Sequence, residues 1–104
     1  MGGKARFALR QISSAPECQD IKNHVIFLLD NNLIRFYTES DGAWGDTHYS
    51  ERGKLYDRIH LFAELWRSGN ERELALTLLH EGYHSWYALS DDADAEYFAG
   101  ACVL

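Results

Sequence analysis

The chain has 104 residues, of which 46% are hydrophobic and 13% aromatic. This is enough apolar material for one modest core but not for a large multidomain enzyme, so we predict a single domain over residues 1–104. Ten Lys and Arg residues stand against sixteen Asp and Glu residues, for a formal net charge of −6. Since no block of basic residues is available to neutralise phosphates, we expect neither nucleic acid nor a membrane surface among the partners.

The sequence lacks the usual targeting signals. Residues 1–7 include basic side chains but no apolar stretch follows them, and no apolar run has the length of a membrane span. We therefore expect a soluble protein of the cytoplasm. Cys18 and Cys102 lie far apart and form no Cys-x-x-Cys motif, so we expect buried thiols rather than a disulfide or a cysteine-built zinc site.

The first two thirds of the chain predict one helix and three strands. Pro16 and Glu17 are typical of a helix start, and apolar residues follow at helical spacing, so we predict a helix over 16–30 that is closed by Asn31 and Asn32. Residues 33–39 alternate like a strand, and turn-forming residues 40–42 lead to a return strand at 43–50. A third strand is predicted at 55–62. Together these segments predict a small antiparallel sheet of about three strands.

The last third predicts two helices. Asn70 and Glu73 have the spacing of a capping box, and residues 74–89 keep apolar side chains on one helical face. That face comprises Leu74, Ala75, Leu78, Leu79, Gly82, Trp86 and Leu89. Ser90 is the expected cap of a terminal helix over 93–104. The predicted fold class is therefore α+β.

A complete His-Glu-x-x-His motif lies inside the predicted helix over 74–89. His80 and His84 are four residues apart, so their imidazoles lie one turn apart and about 40° around the axis, where both can bind one cation. Glu81 lies about 100° round from His80, from where a carboxylate can reach a metal-bound water as general base. A single Zn²⁺ ion at such a site lowers the pKa of its water to about 7 and polarises a carbonyl.

A catalytic zinc site needs a third protein ligand, and acidic residues follow the motif closely. The candidates are Asp91, Asp92, Asp94 and Glu96. Asp92 and Glu96 are four residues apart and share a helical face, so one can bind the metal while the other hydrogen-bonds an imidazole. We favour Asp92 as the ligand and keep Glu96 as its competitor.

These residues resemble a known family. The motif His80-Glu81-Gly82-Tyr83-His84, together with residues 92–99, is similar to the gluzincin-type zinc metallopeptidases, and most to the ImmA/IrrE group, whose second motif is Glu-x-x-Ala-Asn-x-Phe-Ala. The resemblance covers residues 70–104. It implies that His80 and His84 bind zinc, that Glu81 is the general base and that Asp92 takes the place of the family's metal-binding glutamate. Two departures from the family, an aspartate in place of its glutamate, which has a shorter reach, and a shorter spacing between the two motifs, keep Glu96 as the alternative ligand. Glu96 itself stands where the family has asparagine.

The resemblance implies a single zincin-like metallopeptidase domain, an intracellular hydrolase that cleaves peptide bonds. Its substrate would be a protein or peptide, and in some relatives it is a regulatory protein, a transcriptional repressor. By the same likeness, the strand at 55–62 would pair with extended substrate. Candidates for stabilising the oxyanion are Tyr83, Tyr87, Tyr97 and His48. The competing hypothesis is a catalytically weak zincin-fold module that binds or regulates a partner.

Overall fold

The structure is a computed structural model that describes residues 2–36, 45–50, 55–61, 70–87 and 90–104. Its helices are α1 (Gly2–Ala8), α2 (Pro16–Asp30), α3 (Glu71–Trp86) and α4 (Asp92–Cys102), and a 3₁₀ turn at Leu9–Gln11 follows α1. The strands are β1 (Ile34–Phe36), β2 (Gly45–Ser50) and β3 (Leu55–Leu61).

The predicted α+β fold, built on a small antiparallel sheet, is wrong. The described side chains form a helical globule: α1 to α4 and their adjoining turns supply its core, and Ile34 is the one strand residue among the described core members. The described core therefore belongs to the helices and their turns rather than to a sheet. The three strand backbones pair in the order β1-β3-β2, with β1 parallel and β2 antiparallel to β3. Alternating apolar residues indicate extended backbone, but they do not say which elements form the core.

The predicted hairpin between 33–39 and 43–50 is also wrong. β1 and β2 both pair with β3 rather than with each other, and the parallel pairing aligns Ile34 with Ile59. The turn predicted at residues 40–42 lies outside the described residues. A parallel pair requires a crossover, which the local turn chemistry of the sequence does not reveal.

Helix α1 is absent from the elements predicted from the sequence. Ala5, Ala8, Leu9 and Ile12 are all buried, and their spacing of three, four and seven residues is that of a helical face. The face is small because two of its members are alanines, and the glycines at the start of the helix have low helix propensity. Packing against α3, rather than propensity, accounts for this helix.

The prediction for α2 is confirmed at both ends and on its buried face. The helix spans Pro16–Asp30, and its buried residues are Cys18, Ile21, Val25 and Leu28. Asn32 has a φ of 56°, in the left-handed region that asparagine tolerates. The amide of Leu33 donates to the carbonyl of Leu28 at 2.9 Å, which satisfies a carbonyl at the helix end that has no hydrogen-bond partner within the helix.

The packing face of α3 is confirmed in most of its members. Leu74, Ala75, Leu78, Leu79 and Gly82 are buried. Trp86 is 48% exposed, so its assignment to that face is wrong, and Leu89 lies outside the described residues. A Cβ atom at Gly82 would lie 2.5 Å from Val25 Cγ2, so the glycine allows α2 to approach α3 closely.

The prediction of two unpaired thiols is wrong, because Cys18 and Cys102 form a disulfide. The bond joins the first turn of α2 to the last turn of α4 across a sequence separation of 84 residues. Backbone contacts hold the same end of α4: Ser13 N donates to Cys102 O at 2.8 Å, and Leu104 N donates to Gln11 O at 2.9 Å. Sequence spacing could not reveal this pairing, because only the packing of α4 beside α2 brings the two sulfur atoms together.

None of the described helices combines the length and the apolar character that crossing a membrane requires. The predicted cytoplasmic location stays a prediction, and structural disulfides are more typical of oxidising compartments.

The disulfide should contribute measurably to stability. We expect the double variant Cys18→Ser/Cys102→Ser to lose about 2–4 kcal/mol of unfolding free energy, because the bond closes a long loop in the unfolded chain. Urea denaturation followed by circular dichroism measures this loss. Dithiothreitol should lower the urea midpoint of the wild-type protein and leave that of the double variant unchanged. Equal midpoints for the oxidised wild-type protein and the variant would contradict a stabilising role.

Candidate metal centre

The two histidines of the motif and one aspartate converge at the contact between α3 and α4. His84 Nε2 lies 2.8 Å and His80 Nε2 lies 3.3 Å from Asp92 Oδ1. The ligand atoms of the three residues all lie within 4.8 Å of one another. Two donor atoms bound tetrahedrally at about 2.1 Å from a zinc ion are about 3.4 Å apart, which is close to the 3.3 Å and 2.8 Å of the two contacts with Asp92.

Helix α3 positions the two imidazoles, and helix α4 positions the carboxylate. His80 and His84 are one turn apart on α3, with ring centroids 5.0 Å apart. Their side chains are 22% and 17% exposed, whereas that of Asp92 is 86% exposed. Hydrogen bonds with the rings of His84 and, next, His80 hold the pKa of Asp92 below its ordinary value. The carboxylate is therefore ionised near neutral pH, the form that binds a cation.

Ser90 fixes the orientation of the His84 ring. Its hydroxyl oxygen lies 3.0 Å from His84 Nδ1, on the opposite side of the ring from Asp92. When Nε2 binds a cation, the ring proton resides on Nδ1 and can donate to Ser90 Oγ, which is the usual support of a metal-binding histidine. The predicted role of Ser90 as the cap of α4 is wrong: the cap is Asp91, whose side chain accepts from Asp94 N at 2.8 Å.

Glu81 lies beside the three candidate ligands but is not one of them. Its Oε2 is 3.9 Å from His80 Nε2, and its side chain is 9% exposed. It also lines a cavity of about 270 Å³ between α3 and α4, together with His80 and Thr77. The carboxylate is thus placed where it can exchange a proton with a molecule in the cavity next to the candidate ligands.

The other acidic candidates lie elsewhere. The His80, His84 and Asp92 group does not include Glu96, which lines the same cavity one helical turn further along α4. The Asp91 carboxylate is engaged in capping α4. Among the candidates for third ligand, Asp92 therefore has the most favourable placement, while the ligand roles themselves stay predictions.

The described residues do not select an oxyanion-stabilising side chain. None of Tyr83, Tyr87 and Tyr97 is among the described residues that line the cavity. Tyr83 packs against Phe98 with ring centroids 5.1 Å apart, and desolvation, followed by nearby Asp94, raises the pKa of its phenol. The side chain of His48 lies outside the described part of the structure.

A supporting contact behind the site involves His24, which has no role in the sequence analysis. His24 Nε2 lies 2.7 Å from the hydroxyl of buried Ser85, and its ring contacts Trp86 edge-on at 5.1 Å. Ser85 follows His84 directly on α3, so the contact helps fix the helix segment that carries the second imidazole. The position of His24 in the sequence could have indicated a packed side chain, because it lies three residues after Ile21 and one before Val25, beside the buried face of α2.

Comparison of the chain with protein-family models, with curated proteins and with solved structures finds no match.

The choice between Asp92 and Glu96 can be tested by metal binding. We expect Asp92→Ala to weaken zinc binding by more than the 10- to 100-fold that a supporting partner typically contributes, because it removes a ligand. Glu96→Ala should change the affinity by less than about threefold. Competition titration with a zinc-chelating dye gives both values, and circular dichroism verifies that each variant is folded. Unchanged affinity in Asp92→Ala would remove this residue as a ligand.

Ser90 should support zinc binding without being a ligand. We expect Ser90→Ala to lower zinc affinity by about tenfold, because His84 loses the partner of its Nδ1 atom. Ser90→Thr keeps the hydroxyl group and should retain most of the affinity. The same competition titration measures both variants, and equal affinities for Ser90→Ala and wild type would show that the hydrogen bond does not orient the ring for a metal.

Proposed function

We propose that the chain is a zinc-dependent metalloendopeptidase, in which Glu81 is the general base for hydrolysis of a peptide bond in a protein or peptide substrate. One observation carries the proposal: the donor atoms of His80, His84 and Asp92 cluster within 4.8 Å of one another, next to a buried carboxylate that lines a cavity. The resemblance of the two motifs to gluzincin metallopeptidases supports the same chemistry. It concerns residues of α3 and α4 and includes no likeness of the whole fold.

The three candidate ligands suit catalysis better than a purely structural zinc site. Structural zinc sites are closed by four protein ligands, whereas catalytic sites have three and leave a position for water. Two imidazoles and one carboxylate are a known catalytic set. A bound zinc ion would lower the pKa of that water to about 7 and polarise the substrate carbonyl.

Glu81 would then perform the proton transfers. Its carboxylate would accept a proton from an attacking water as the water oxygen forms a bond to the carbonyl carbon of the substrate. It would return that proton to the amide nitrogen as the carbon–nitrogen bond breaks, so that a carboxyl group and an amine are released. The position of Glu81, 3.9 Å from His80 Nε2 and on the wall of the cavity, suits this role because both the water and the substrate must be within its reach.

The residues around the ligands keep this geometry fixed. Ser90 holds the ring of His84, and the packing of α4 on α3 holds Asp92 in front of both imidazoles. Such preorganisation matters because small displacements of catalytic groups cost large factors in rate.

Replacement of the base tests the proposal. We expect Glu81→Gln to bind zinc like the wild-type protein and to lose 10²- to 10⁴-fold in the rate of peptide hydrolysis, the usual contribution of a general base. Hydrolysis of a synthetic peptide mixture, followed by mass spectrometry, gives the rate, and metal analysis gives the zinc content. Glu17→Gln, an exposed position in the first turn of α2, is the matched control and should have wild-type activity.

Two outcomes would contradict the proposal. Equal hydrolysis by Glu81→Gln and wild type would assign the activity to a contaminant. Stoichiometric zinc without any hydrolysis by the wild-type protein would instead favour the module that binds or regulates a partner.

A further inference from the structure

The cavity beside Glu81 extends well beyond the candidate metal centre. It has a volume of about 270 Å³ and lies between α3 and α4. The described residues that line it are Glu73, Leu76, Thr77, His80, Glu81, Glu96 and Ala99. One end is therefore formed by His80 and Glu81, and the remaining wall belongs to residues that have no part in the proposed hydrolysis.

That remaining wall combines apolar and acidic side chains. Leu76 and Ala99 provide apolar surface, while Glu73 and Glu96 bring a carboxylate from each of the two helices. No Lys or Arg is among the described lining residues, and neither carboxylate takes part in an ion pair of the described residues. Glu73 is held in position by the capping box, in which its Oε2 accepts from Asn70 N at 3.2 Å.

The backbone spacing of the two glutamates indicates the length of a fitting ligand. Glu73 precedes His80 by seven residues, or about 10 Å along the axis of α3, and Glu96 follows Asp92 by four residues, or about 6 Å along α4. A group that starts at the His80 end therefore needs an extended chain to approach Glu73. An aliphatic stem that ends in a cation matches both the apolar wall and the charge.

We propose that this cavity is a specificity pocket that takes the side chain of a lysine or arginine beside the scissile peptide bond. The stem of the side chain would lie along Leu76 and Ala99, and its charged end would meet Glu73 and Glu96. This inference rests on the proposed peptidase function, because it places the substrate backbone at the end of the cavity formed by His80 and Glu81. The net charge of −6 favours the approach of basic peptides.

Four peptides test the pocket: acetyl-Ala-X-Ala-amide, in which X is Arg, Lys, Leu or Glu. Binding to the zinc-loaded protein is measured by calorimetry at physiological ionic strength, where long-range attraction between charges is screened. We expect the Arg and Lys peptides to bind at least tenfold more tightly than the Leu and Glu peptides. In Glu73→Gln/Glu96→Gln this preference should fall below threefold.

The matched control is Glu17→Gln/Asp20→Asn, which removes the same two charges from exposed positions of α2. It should keep the full preference for basic peptides. Three results would each overturn the proposed pocket. The first is equal binding of all four peptides, the second is a preference for basic peptides that survives in Glu73→Gln/Glu96→Gln, and the third is an equal loss of that preference in the control variant. Tight Ca²⁺ binding that excludes the Arg peptide would overturn it too, since the two carboxylates would then form a cation site.

The same samples separate the two proposals. Mass spectrometry after incubation with wild-type protein reports cleavage of each peptide. Selective binding of the Arg and Lys peptides without any cleavage would support the pocket and contradict the peptidase function. Cleavage of all four peptides at similar rates would support the function and contradict the pocket.

Discussion

The contact of the Asp92 carboxylate with the imidazoles of His80 and His84 is the interaction on which the candidate site depends. It brings the first turn of α4 onto the exposed face of α3 and gathers three donor atoms that suit one cation. Helix α4 also carries Glu96, which lines the cavity together with Glu81. If α4 were displaced, both the cluster of candidate ligands and one wall of the cavity would be lost together.

The rest of the globule holds these two helices in place. On one side, Gly82 lets α2 approach α3, and His24 contacts Ser85 directly behind the second imidazole. On the other side, the Cys18–Cys102 disulfide fixes the far end of α4 to α2. The two ends of α4 thus have separate supports: a covalent one at the C-terminus and the histidine contacts at the N-terminus. These two supports hold α4 although the core of the chain is modest.

The sequence predicted the structure best where a pattern of side chains is typical of a single local structure, as in the helices α2 and α3. For α2, the spacing of apolar residues and the cap residues predicted the bounds and the buried face. For α3, they predicted the capping box and most of the buried face. Such predictions succeed because a helix forms its hydrogen bonds within one segment. The sequence was least informative about pairing between segments. It misassigned the fold class and the hairpin, because alternation in 33–39 and 55–62 does not specify which strands pair or what forms the core. It also missed α1, whose alanine face is recognisable only against α3.

For the candidate site, the sequence alone determined that His80, Glu81 and His84 share one helix at the spacing of a zinc-binding motif, because helical geometry fixes the relation of residues four apart. It favoured Asp92 over Glu96 without excluding Glu96, and it did not indicate Ser90 as the partner of His84. Those relations depend on the angle at which α4 returns over α3, which is set by packing far from the motif, including a disulfide between residues 84 positions apart. The tertiary structure decided only which side chains lie together, with Asp92 beside both imidazoles and Ser90 beside His84, because contacts between elements are not encoded in the periodicity of either one.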